Sequence, residues 1–218
     1  MHLNPYGEYA VLLAASLANE WPSDSAGIIE RAREFGMTMD FVTTKDDHAR
    51  TRSVIDEWLR VVDANAPEQR ARLLNSQMAS ATAYPRLTDH SGEGWHLHYR
   101  DDNQSLSHVL HAVISVGTAL HVTTKGMGRL GRCEAGTTPG DPCRNVVVDV
   151  TRNGRQRYCS VRCANRAAVR RHRMRASSPR AARPDENAAT TSFGGDNDPQ
   201  GDVYRDRPTE EQHPHNRE

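Results

Sequence analysis

The stretch RYCSVRCANR, residues 157–166, decides how the second half of this 218-residue chain folds. Its two cysteines, Cys159 and Cys163, are four positions apart, so a helix that begins just after the first turns both sulfur atoms to one side. The two other cysteines, Cys133 and Cys143, precede them and give the spacing C-x9-C-x15-C-x3-C. Four thiolates this close together are the ligands that a structural zinc ion prefers in a closed tetrahedral shell. The spacing therefore predicts one structural Zn²⁺ held by all four cysteines.

The residues around the cysteines predict the rest of a small zinc module. Residues 146–151 are rich in valine, which is typical of a strand, and the Asn-Gly pair within residues 152–155 is favoured in tight hairpins. Residues 155–159 are predicted to return as the second strand, and residues 164–175 to form a helix. This order predicts a treble-clef-like module, which has so few large apolar side chains that it depends on the metal to fold.

The alternatives for the cysteines are two disulfides or four unrelated thiols. Disulfides need an oxidising compartment. The apolar run over residues 11–18 is similar to the core of a signal peptide, but no Lys or Arg precedes it, whereas Pro5 and Glu8 do. No run approaches the roughly 18 unbroken apolar residues of a membrane helix. We therefore expect a cytoplasmic protein with reduced thiols and no membrane partner.

Charge is distributed unevenly along a chain whose formal net charge is zero. Residues 125–183 carry 15 basic side chains, 14 of them arginine, against 3 acidic ones, a net charge of +12. Residues 1–124 carry 10 basic and 16 acidic side chains, and residues 184–218 carry 3 and 9. A basic segment between acidic flanks predicts a polyanionic partner, most simply nucleic acid. The alternative is a solvated basic face that neutralises the acidic parts of the same chain.

The helix after the second cysteine pair carries most of the candidate contacts to nucleic acid. Arginine neutralises phosphates and also binds guanine edges in the major groove, and asparagine reads adenine. The asparagine here is equally well placed to hold the zinc loop together. Exposed aromatic residues do not interleave with the basic ones, which favours duplex DNA over single strands. The predicted DNA-binding residues are Arg157, Arg162, Asn165, Arg166, Arg170, Arg171 and Arg173.

The first 124 residues predict a mainly helical domain with one modest core. Apolar residues recur with helical spacing in five segments, interrupted after the fourth by alternation that predicts a β-hairpin over residues 85–100. We expect Trp95, Leu97 and Tyr99 on one face of this hairpin, with His96 and His98 facing solvent on the other. The first predicted helix carries Tyr9, Leu12, Leu13 and Leu17 and is stopped by Pro22, and the others cover residues 23–35, 45–64, 68–82 and 103–122.

Two further patterns have both a functional and a structural interpretation. Trp58, Trp95 and Tyr99 are candidates for lining the pocket of a small-molecule effector, although aromatic residues at such spacings are more often core. Residues 126–131 match the dinucleotide-binding pattern G-x-G-x-x-G, but a helix precedes them and a cysteine follows. That context favours an interdomain linker.

Three histidines share one predicted helix. His108 and His111 are three positions apart, and His121 lies further along. No carboxylate partner pattern accompanies them, which favours polar residues on a helix face over a second metal site. The sequence contains no catalytic motif, so we expect no enzyme.

The quoted stretch, followed by the basic residues 167–173, closely resembles the CGNR-type zinc finger. The signature here reads Cys163-Ala-Asn-Arg, with alanine at the glycine position. The first cysteine pair is further apart than in the family, and residues 137–142 resemble an insertion. The family module lies at the C-terminus of bacterial proteins with an N-terminal ABATE domain, to which residues 5–125 are loosely similar. The resemblance implies a stress-induced transcription regulator.

Together these observations predict three segments. Residues 1–124 form a helical, ABATE-like regulatory domain, residues 125–176 a CGNR-type zinc-binding domain, and residues 177–218 a disordered tail too poor in apolar residues to fold. The predicted function is zinc-dependent binding of double-stranded DNA in transcription regulation, with an N-terminal domain that senses an effector or forms a homodimer. The alternative is a zinc-containing protein-interaction adaptor that does not bind DNA directly.

Overall fold

Helix α5 (Leu106–Lys125) is the centre of the protein in the computed structural model, which describes residues 7–37, 41–42, 44–89, 95–137 and 143–177. Ser105 begins the helix, because its hydroxyl accepts a hydrogen bond from the backbone N–H of His108 at 3.3 Å. Most of its 20 residues are buried, since three other helices pack around it. These are α1 (Glu8–Asn19), α3 (Asp47–Val62) and α4 (Pro67–Ala81). The prediction of a mainly helical first half is confirmed.

Length and composition alone would let α5 cross a membrane. It is the one such helix in the described part of the chain, and 72% of its apolar window is buried inside the protein. Burial of this extent is what the core helix of a helical bundle shows.

Local sequence signals place the helix ends close to where they were predicted. Asp24 caps α2 (Ser25–Glu34), because its carboxylate accepts a hydrogen bond from the Gly27 N–H at 2.8 Å. Pro67 occupies the first turn of α4, where its missing N–H costs nothing. Helix α1 ends at Asn19, three residues before Pro22.

Two glycines let α1 and α5 approach closely. Gly7 precedes α1 with a positive φ of 67°, and a Cβ placed on it would lie 2.2 Å from the carbonyl oxygen of Gly117. A Cβ on Gly117 would lie 2.4 Å from the Ala10 Cβ. Any larger residue at either position would therefore force the two helices apart.

The centre of the helical core is tied by polar contacts as well as by apolar packing. Trp58 is fully buried, and its indole N–H donates to the Thr118 hydroxyl at 2.9 Å. Arg70 is also buried, and its guanidinium donates to the carbonyl oxygens of Val61, Val62 and Ala64 at 3.0–3.2 Å, which satisfies the last turn of α3. Trp58 is thus a core residue.

The predicted hairpin forms from β1 (Arg86–Thr88) and β2 (His96–His98), which pair antiparallel with Leu87 opposite Leu97. The expectation that His98 faces solvent is wrong. Leu97 and Leu87 are exposed, whereas His98 is buried and lies 3.9 Å from the Asp102 carboxylate. Alternation identifies two faces of a strand but not which of them meets the protein, and here the face that carries His98 does. Residues 90–94 and the side chain of His96 lie outside the described residues.

A second two-stranded sheet consists of β3 (Leu130–Arg132) and β4 (Val146–Val148), again antiparallel. Of the strand predicted over residues 146–151, only residues 146–148 form β4, and the predicted partner of this strand is wrong. Residues 155–159 form no strand, although residues 151–154 do turn and Gly154 has a φ of 67°. The true partner, β3, lies in the segment interpreted as a linker, so that interpretation is wrong as well.

Strand β4 separates two clusters of buried side chains. Val146 and Val148 belong to the large helical core, together with Leu130 of β3. Val147, which points to the opposite face, packs with Cys133, Ala135 and Cys163 in a second, much smaller cluster. Helix α6 (Val161–Ser177) follows and contacts the 3-10 turn Glu134–Thr137 beside that cluster. The cysteines and the start of α6 therefore lie on one face of β4, and the large helical core with α1 lies on the other.

The described residues all belong to one compact unit. The division of this unit into two domains at residue 124 stays a prediction. Apart from Thr137 and Ser177, the predicted insertion at residues 137–142 and the predicted disordered tail at residues 177–218 lie outside the described residues.

Candidate metal centre

The first cysteine pair is held by a short turn after β3. The Cys133 N–H donates to the Asn145 carbonyl at 2.8 Å, and the Cys133 carbonyl accepts from the Gly136 N–H at 2.8 Å. Gly136 then passes so close to the chain at Cys143 that a Cβ on it would lie 2.3 Å from the Cys143 carbonyl oxygen. The turn thus brings Cys133 and Cys143 together, and it requires glycine at position 136.

The second pair lies at the start of α6. Ser160 caps the helix, since its hydroxyl accepts from the Cys163 N–H at 3.2 Å and its carbonyl from the Ala164 N–H at 3.1 Å. Cys159 precedes the cap and Cys163 lies in the first turn, so both sulfur atoms point to the same side. The helix predicted after the cysteines is confirmed.

All four sulfur atoms lie within 4.8 Å of one another. Cys143 Sγ is 3.6 Å from Cys159 Sγ, which is 3.7 Å from Cys163 Sγ. A tetrahedral zinc with Zn–S bonds of about 2.3 Å separates its sulfur ligands by about 3.8 Å. A disulfide would need about 2.05 Å, and all four cysteines are free. The geometry and the donor set fit one zinc ion and not the disulfide alternative.

Hydrogen bonds to the sulfur atoms support this arrangement. The Cys159 N–H donates to Cys133 Sγ at 3.4 Å, and Arg166 Nη2 donates to Cys163 Sγ at 3.3 Å. The hydrogen bond with Ser160 lowers the pKa of the Cys163 thiol to about 7, whereas burial raises the pKa of Cys159 to about 12. Cys163 therefore ionises more readily than Cys159, from which zinc binding must displace a proton.

Four thiolate ligands define the chemistry that the ion would supply. Cys133, Cys143, Cys159 and Cys163 together complete a four-coordinate shell, which leaves no open position for water or a substrate. The ion would therefore fix the turn after β3 to the start of α6, and Arg166 would stabilise the negative charge on one of its sulfur ligands.

The predicted DNA-binding arginines do not share one environment. Arg166 points at the cluster and Arg170 is partly buried, so neither is a freely exposed side chain. Arg157 is exposed but forms an ion pair with Glu134, with Nη1 at 2.8 Å from Oε1. Arg171 donates to the Tyr158 hydroxyl at 2.8 Å. Arg162, Asn165, Arg171 and Arg173 are exposed.

The other sequence candidates do not form sites with one another. Trp58 is buried in the helical core while Trp95 is 74% exposed, so with Tyr99 they do not line one pocket. Burial lowers the pKa values of His111 and His121, and each stays neutral near pH 7. In the part of the chain that the structure describes, the four cysteines are the one group of three or more His, Cys, Asp or Glu residues that could hold a metal.

Three contacts around the centre carry no signal that sequence reasoning used. The Asn19 side chain binds the peptide group of Val146, and Arg132 forms an ion pair with Asp63, the residue after α3. Ser160 is recognisable in hindsight as a helix cap, because serine precedes a helix-forming run. The Asn19 and Asp63 contacts join residues 127 and 69 positions apart, and no local pattern indicates them.

A β-turn-helix unit with four converging cysteines is a zinc-binding module. Residues 129–176 of this chain match the CGNR zinc finger family. Comparison with curated proteins gives no match.

Proposed function

We propose that the chain is a zinc-dependent, DNA-binding transcription regulator of the cytoplasm, and that α6 is the element that contacts DNA. The observation that carries the proposal is the composition and exposure of that helix. It contains six arginines and no acidic residue, and residues 171–176 at its C-terminal end are all exposed.

The position of α6 supports the assignment. Only its first turns, with Cys163 and Ala167, are buried against the zinc module, so the rest extends into solvent. A helix of 17 residues is about 25 Å long, and a helix fits the major groove of B-DNA. Arg171, Arg173 and Arg175 surround its exposed end and would neutralise phosphates on both sides of the groove.

The helical residues 1–124 would supply regulation under this proposal. We propose that they bind a small-molecule effector or join two copies of the chain, since a regulator needs an input as well as a DNA-binding surface. Zinc would have a structural role and no catalytic one, because its thiolate shell is closed.

Binding of the intact protein to duplex DNA, followed by fluorescence anisotropy, tests the proposal. We expect tight binding at low salt that weakens steeply as salt increases, because bound phosphates release counterions. Chelation of zinc should abolish binding. A zinc-loaded protein that does not bind duplex DNA at low salt would overturn the proposal.

A single arginine at the exposed end of α6 gives a sharper prediction. Arg173→Ala should weaken DNA binding several-fold and reduce the slope of log K against log salt by about 1, the amount of one phosphate contact. The matched control is Arg72→Ala, which removes an exposed arginine from α4. Equal effects of the two substitutions would show that binding follows total charge and not α6.

The second candidate is a protein-interaction adaptor, and the ion pairs of the zinc module favour it. Arg129, Arg132 and Arg157 are bound to the carboxylates of Asp149, Asp63 and Glu134. Part of the basic charge is thus neutralised within the chain. Loss of DNA binding at low salt, with retained binding to an acidic protein surface, would favour the adaptor.

A further inference from the structure

The four sulfur atoms of the zinc centre are not equally accessible. Cys133 and Cys163 are buried, at 2% and 5% exposure, whereas Cys143 and Cys159 are partly exposed. The two accessible sulfur atoms are also neighbours, 3.6 Å apart. A reagent in solution therefore meets a pair of adjacent thiolates before it meets either buried one.

A surface cavity reaches the first cysteine pair. It has a volume of about 450 Å³ and lies between α3 and the turn that holds the first cysteine pair. Cys133 and Cys143 line it together with Asp63, Arg132, Glu134, Gly136 and Arg144, and Cys143 is the more exposed of the two cysteines. A molecule of hydrogen peroxide is little larger than water, which occupies about 30 Å³ in the liquid, so the cavity admits it easily.

We propose that Cys143 and Cys159 form an oxidation site, at which a hydroperoxide converts the two thiolates to a disulfide and the zinc ion is released. One thiolate sulfur attacks a peroxide oxygen, the O–O bond breaks, and a sulfenic acid forms with loss of hydroxide. The second thiolate attacks that sulfur, the S–S bond forms, and a second hydroxide leaves. Two electrons pass from sulfur to the peroxide, and two protons from solvent convert the hydroxides to water.

The backbone favours this pair over Cys159 and Cys163, whose sulfur atoms are nearly as close at 3.7 Å. Cys143 and Cys159 lie in segments without helix or strand, so their sulfur atoms can approach from 3.6 Å to the roughly 2.05 Å of a disulfide. Cys163 is fixed within α6, where Ser160 binds its N–H and Arg166 its sulfur.

Oxidation at this site would disconnect the zinc module. The two remaining thiolates, Cys133 and Cys163, cannot complete a tetrahedral shell, so the ion is lost to any competing ligand. The turn after β3 and the start of α6 would stay joined by the disulfide but without the metal geometry. The proposal concerns the cysteines alone and does not rest on DNA binding.

The test uses the intact zinc-loaded chain and hydrogen peroxide as the probe. Zinc release is followed with a chromophoric chelator, and free thiols are counted in parallel. We expect release of about one zinc per chain together with loss of two of the four thiols, and full recovery of zinc binding after reduction with dithiothreitol and zinc addition. The same chelator without peroxide is the control.

Peptide mapping under non-reducing conditions identifies the linked pair, and it needs no variant that might fail to fold. Trypsin separates Cys159 from Cys163 at Arg162, and a protease specific for aspartate separates Cys133 from Cys143 at Asp141. A Cys143–Cys159 disulfide supports the proposal. Any other pairing, disulfides between chains, or retention of zinc and all four thiols would overturn it.

Discussion

The helical bundle and the zinc module bury their cores by different means. The bundle encloses large apolar side chains such as Leu13, Leu17, Ile55 and Leu110, all with at most 1% exposure. The buried cluster of the zinc module consists of two cysteines, one alanine and one valine. So small an apolar cluster contributes little hydrophobic stabilisation, and the metal would replace it. We therefore expect the bundle to depend on apolar burial for its stability and the zinc module to depend on its metal.

The two regions nevertheless share β4. Because successive side chains of a strand point to opposite faces, Val146 and Val148 complete the helical core while Val147 covers the cysteines. The far edge of β4 is also closed, since the Asn19 amide donates to the Val146 carbonyl at 3.0 Å and accepts from its N–H at 2.6 Å. A change in side-chain packing on one face of β4 should therefore alter the packing on the other face.

Removal of zinc should have the largest effect on this arrangement. Structural zinc contributes about 10–16 kcal/mol to the folding of zinc-finger peptides, so the module should unfold without it, with loss of α6. The bundle should remain folded but less stable by about 3–5 kcal/mol, because β3 and β4 no longer cover its core. Far-UV circular dichroism during thermal unfolding, with and without a chelator, measures both effects.

Zinc addition should restore the original unfolding curve, and magnesium should not. A single transition that disappears entirely on chelation would show that the bundle also needs the metal. If chelation leaves the thermal unfolding transition of the bundle unchanged, β4 does not couple the stability of the bundle to that of the zinc module.

The Asn19→Ala substitution should have the next largest effect. It removes two partly buried hydrogen bonds between an exposed side chain and the peptide group of Val146, which should cost about 1–2 kcal/mol of unfolding free energy. Zinc affinity, measured by competition with a chelator, should fall as well, since β4 also covers the cysteines. Urea unfolding compares this variant with Asn75→Ala, which removes an exposed asparagine of α4 and should change stability by less than about 0.5 kcal/mol.

The difference between the helical bundle and the zinc module also explains which features could be predicted from the sequence. The helices were predictable because apolar residues such as Leu13, Ile55 and Leu110 recur with the helical period over many residues. The four cysteines were predictable because zinc binding requires thiolates in close proximity. Both signals are local or chemically specific, and both are confirmed by the buried helices and by the sulfur distances.

The partner of β4 was not predictable in the same way. Strand β3 has three residues, of which only Leu130 is apolar, so it shows no alternation and lies inside a glycine-rich run. The Asn-Gly turn after β4 forms, but the residues that follow it do not pair with β4. The Arg157 carbonyl, for example, accepts a hydrogen bond from the Glu134 N–H. Tertiary contacts thus pair β4 with β3, whereas the turn residues alone predicted a pairing with residues 155–159.

The ion pair between Arg132 of β3 and Asp63 after α3 gives the smallest predicted effect. Arg132 Nε lies 2.7 Å from Asp63 Oδ1, and this hydrogen bond lowers the pKa of the Asp63 carboxyl. Because about half of the Asp63 side chain is exposed, Asp63→Asn should reduce the unfolding free energy by less than about 1 kcal/mol.

The pH dependence of this effect follows from the pKa of Asp63. A carboxyl pKa that is lower in the folded state stabilises the protein above the unfolded value of about 3.9, and that stabilisation is lost only as the pH falls through the folded value. The effect of the substitution should therefore be constant between about pH 6 and pH 8 and should shrink in high salt, which screens the pair. Urea unfolding at two salt concentrations measures it, and a loss of stability as large as that of Asn19→Ala would show that charge, and not the shared strand, joins the two regions.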